Sequence, residues 1–162
     1  MSIQVEISPE QWMALFNAVF SAAAYVSSAS GGGLEMFKEL FSASKFMMET
    51  IKKSGGSGYG ELVEAFLERM KGMSPKDAKV DTEKYEARDM AGIRAEARQK
   101  VAQGAAVADS LPGGEGFKRW ILDMAREVAL TRTGGVLGIG ARSEIDQQEQ
   151  AALDELAAMM GV

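Results

Sequence analysis

Apolar residues recur along this chain at intervals of three and four, the spacing of a helix that buries one face, and glycine clusters separate one such run from the next. No segment alternates apolar and polar residues for long enough to make a strand. Trp12, Leu15, Phe16, Val19, Phe20, Ala23 and Val26 form the first face. With Met13 and Ala22 added, that helix is apolar nearly all round, which predicts a central, buried element. Its start is written in Ser8-Pro9-Glu10-Gln11: the Ser8 hydroxyl can accept the amide three residues on, Pro9 suits the first turn, and Gln11 completes a capping box. Ile7 and Trp12 have the spacing of a hydrophobic staple across that start.

Gly31-Gly32-Gly33 ends the first run, and a second helix is predicted over 34–53, with Phe37, Leu40, Phe41, Met47, Met48 and Ile51 on one face. After the glycine- and serine-rich turn of 54–60, a third over 61–71 buries Leu62, Phe66, Leu67 and Met70. From Ser74 to Ser110 the chain turns rich in alanine and in charges of both signs, with sparse apolar positions at Tyr85, Met90, Ile93, Ala97 and Val101. This predicts a long, partly exposed helix with a narrow apolar stripe, interrupted near Val80-Asp81-Thr82. Leu111-Pro112-Gly113-Gly114 stops it. The next helix, 115–131, has the cleanest period, at Phe117, Trp120, Ile121, Met124 and Val128. The last spans 146–160 with Leu153, Leu156, Ala157 and Met160 inward and Gly161 as its stop. Together these elements predict an all-α fold, one domain over residues 1–162, built as a bundle of about six helices.

Composition narrows the chemistry. The chain has no cysteine and no histidine, which excludes thiolate catalysis and Cys/His zinc sites and removes the commonest general base. The net charge is −5, with acidic outer thirds and interleaved signs in the middle, so no basic face for nucleic acid or anionic lipid is expected. The most apolar stretch, Trp12 to Val26, is too short to span a bilayer and is interrupted by Asn17 and Ser21. The residues before it include Glu6 and Glu10 and no base, the wrong flank for a signal peptide, so a cytoplasmic location is the expectation.

Candidate chemistry is thin. The glycines between Gly134 and Gly140 lack the Lys-Ser/Thr of a phosphate loop and no strand precedes them; Leu137 and Ile139 point instead to a loop folded onto the core. Carboxylates cluster at Glu144, Asp146, Glu149, Asp154 and Glu155, the oxygen donors a hard cation needs. Asp146 and Glu149 also fit a cap and capping box, and Asp154 and Glu155 a solvated face. Arg94 and Arg98, among acids of the same helix, read as mixed surface. No nucleophile is paired with a base, and no cofactor is expected. Met47, Met48, Ile51, Met70 and Met73 gather at the ends of the second and third helices, where methionine serves either as core filler or as an adaptable contact surface.

The run Ala141-Arg142-Ser143-Glu144-Ile145-Asp146-Gln147-Gln148-Glu149, leading into Leu153, Leu156, Met160 and Gly161, resembles a segment of the tellurite-resistance TerB-like helical proteins. That family carries Ala-Asp-Gly-x-Ile-Ser/Asp-x-x-Glu ahead of such a helix. The resemblance covers about twenty residues and implies a compact bacterial, cytoplasmic bundle, with acidic metal sites in some members. Arg142 and Ser143 stand where the family has Asp-Gly, so Glu149 is the one metal-site position carried over. The expected function is a non-enzymatic protein-interaction or structural component, self-associating as a homodimer through Met47, Met48, Ile51, Met70 and Met73 or contacting another protein. A TerB-like, divalent-metal-responsive stress protein and a small acid/base enzyme are the alternatives.

Overall fold

A computed structural model describes residues 6–28, 58–71, 90–135 and 147–162. Among these residues every regular element is an α-helix and none is a strand. There are five: α1 (Pro9–Ser28), α2 (Glu61–Met70), α3 (Met90–Asp109), α4 (Gly114–Gly135) and α5 (Gln147–Met160). The sequence predicts about six; the one expected over 34–53 lies outside the described residues, as does the stretch of 74–89 expected to lead into α3.

α1 is the centre. Its start is the reciprocal cap that the sequence calls for: the Gln11 amide donates to Ser8 Oγ at 3.1 Å and the Ser8 amide to Gln11 Oε1 at 2.9 Å. Ile7, just outside the cap, is half-buried against the core. Trp12, Leu15, Phe16, Val19, Phe20, Ala23 and Val26 are all buried, and so are Ala18, Ser21, Ala22 and Tyr25. A helix hidden on so many sides needs neighbours all round it, and α3, α4 and α5 supply them.

The most extensive of these contacts, between α1 and α3, depends on small side chains. A Cβ placed on Gly104 would lie 2.2 Å from Cβ of Ala18 and 2.8 Å from the carbonyl oxygen of Ala14. The two backbones therefore meet where α3 has no side chain at all. Ile93, Ala97, Val101, Ala105 and Ala108 continue the buried stripe on either side of that point. The alanine content that makes α3 look weakly amphipathic is what lets it approach so closely.

α2 and α4 close the aromatic end of the core. α2 has no side-chain N-cap, and Glu61 and Glu64 in its first turn face the positive end of its dipole. Its Phe66 stacks on Trp12 (5.4 Å between centroids) and meets Phe117 and Trp120 of α4 edge-on, at 5.2 and 5.6 Å. Ile121, Met124 and Ala125 continue the inward face of α4. α5 contributes Ala152, Leu153, Leu156 and Met160. It ends as the sequence predicts, on Gly161 at φ +75°, with the amides of Gly161 and Val162 returning to the carbonyls of Ala158 and Ala157 at 3.3 and 3.1 Å. Ala157, expected inward, is half-buried.

Candidate functional site

Two polar side chains drawn into the fold, Lys118 and Tyr25, join one helix to another. Lys118, in the second turn of α4, is 7% exposed. Its ammonium lies 2.6 Å from a carboxylate oxygen of Asp109 at the end of α3, and it donates to the carbonyl oxygen of Met160, the last residue of α5, at 3.0 Å. One cation thus serves two helix C-termini, where backbone carbonyls lack partners and positive charge is favoured.

A second polar group joins α1, α3 and α5. The hydroxyl of Tyr25, a buried residue of α1, donates to Oε2 of Glu155 on α5 at 2.5 Å. The Arg94 guanidinium of α3 lies over the Tyr25 ring, 4.6 Å from its centroid. Burial and the hydrogen bond to Glu155 raise the Tyr25 hydroxyl above its ordinary pKa, and the nearby Arg94 opposes the rise. Arg94 and Glu155 are therefore structural partners of α1, a role the sequence reading does not give them; Glu155, Asp154 and Arg98 are exposed, as that reading expects, and Arg94 is half-buried.

At the other end of α1, Arg69 of α2 lies over the Trp12 ring at 5.1 Å and donates to the carbonyl of Ile7 at 3.3 Å. The indole N–H of Trp12 is buried with no acceptor among the described residues. Tyr59 lies along α4: its carbonyl packs against Gly116, where a Cβ would come within 1.6 Å of it, and its hydroxyl donates to Asp123. That bond raises the Tyr59 pKa as well.

The outward face of α3 is of another kind. Ala91, Ala95, Arg98, Gln99, Ala102, Gln103 and Ala106 are exposed, opposite the stripe packed on α1. Four alanines share one side of a two-sided helix, with one charge among them.

The residues singled out in the sequence fall differently. Met70 is fully buried in the core, so it is filler under α2 rather than part of an open contact surface. Met47, Met48, Ile51 and Met73 lie outside the described residues, as do Leu137 and Ile139. Glu149 is described: it is in the first turn of α5 and 1% exposed, and no group of three or more acidic side chains suited to a metal ion is formed among the described residues. Glu144 and Asp146 lie outside them.

Two features escape a sequence reading. Lys118 is a lysine on a helix that reads as amphipathic, and Tyr25 and Glu155 stand 130 positions apart. A faint signal exists for the tyrosine alone, since it extends the apolar run of α1 by one more polar-tipped ring. No helix among the described residues is long and apolar enough to cross a membrane. No model of a known family, no curated protein and no solved structure matches the chain.

Proposed function

We propose that this protein is a non-catalytic helical component that works by protein contact, pairing with a second copy through the outward face of α3. The observation that supports this reading is the exposed row Ala91, Ala95, Ala102 and Ala106. Small side chains permit close approach of two helices, as Gly104 and Ala18 already do inside the fold. The row also reads alike from either end: Ala91 and Ala106 are equidistant from its midpoint, and so are Ala95 and Ala102. An antiparallel pairing about a two-fold axis at that midpoint sets Ala91 against Ala106 and Ala95 against Ala102, with Arg98 opposite Gln99 at the centre. The buried polar groups fit the same reading, because Lys118 and Tyr25 are engaged in joining helices to one another.

Sedimentation equilibrium over a wide concentration range tests it. The expected result is a mass rising toward twice that of the chain, and a return to the single-chain mass in an Ala95→Glu, Ala102→Glu double variant. A single-chain mass at every concentration overturns the pairing. An unchanged dimer in the double variant, with its helical signal intact, places the contact elsewhere.

A further inference from the structure

We draw no further inference here: the strongest candidate, the buried indole N–H of Trp12 beneath Arg69 at the start of α1, is sealed in a stack with Phe16 and Phe66, and nothing among the described residues shows what would accept its hydrogen.

Discussion

Phe16 shows how much one side chain carries in the core. It is fully buried, stacks on Trp12 at 5.0 Å and meets Phe20 at 4.5 Å. Removing its ring leaves a cavity that these neighbours fill only in part, so Phe16→Ala is expected to cost about 3–5 kcal/mol in denaturant melts. A loss below about 1 kcal/mol would mean that this face of α1 is not packed as described. Tyr25 predicts a pH dependence. Its pKa is raised above the ordinary value of 10.0, so the folded chain holds the hydroxyl proton more tightly than the unfolded chain does. The associated stability is fully present below about pH 10 and is lost as pH climbs through the raised value. Tyr25→Phe is expected to cost about 1 kcal/mol at neutral pH, from the lost bond to Glu155, and to flatten part of the alkaline slope. The Tyr59 hydroxyl, raised in the same direction, supplies a further part. Alkaline melts of the variant that superimpose on those of the parent would show that Tyr25 is not held by Glu155.

Between elements, the decisive contact is the crossing of α1 and α3. Gly104→Ala puts a methyl where Ala18 Cβ and the Ala14 carbonyl already stand, and carbonyl backbone cannot swing away as a long side chain would. The expected cost is about 1–3 kcal/mol, read from the shift of the denaturation midpoint. A neutral or stabilising change would show that the helices stand farther apart. The same crossing marks the boundary of what is legible from sequence. The cap at Ser8 and Gln11, the stop at Gly161, and the inward faces of α1, α4 and α5 all follow local grammar, in which a residue and its partner are three or four positions apart. Ile93, Ala97 and Val101 are read correctly as the stripe of α3, but Ala105 and Ala108 are not, since alanine has too little apolar surface to declare itself buried. Lys118 and the pairing of Tyr25 with Glu155 depend on which helix ends come together, and no periodicity encodes that.

At the scale of the molecule, one of the described helices, α1, is enclosed and the others are partly open. That division explains the arrangement of charge: of the charged side chains described, Lys118 and Glu149 are the buried ones, and the rest lie toward the outside. It also separates folding from association. If α3 pairs with a second copy, the pairing uses the side of the helix that the core does not, so the Ala95→Glu, Ala102→Glu variant is expected to change mass while its unfolding midpoint at low concentration moves by no more than about 0.5 kcal/mol equivalent. A large drop in that midpoint would mean the face is covered by the chain itself. One further consequence belongs to Phe66. The chain has 2 tryptophans, both buried, and this single ring touches both indoles. Indole emission therefore reports first on the spot where α1, α2 and α4 converge, whereas Tyr25 marks the place where α1, α3 and α5 meet. Unfolding followed by emission and by far-ultraviolet circular dichroism is expected to coincide if the helices melt as one unit. A dichroism loss that precedes any change in indole emission would reveal that part of the helical structure comes away before the convergence of α1, α2 and α4 opens.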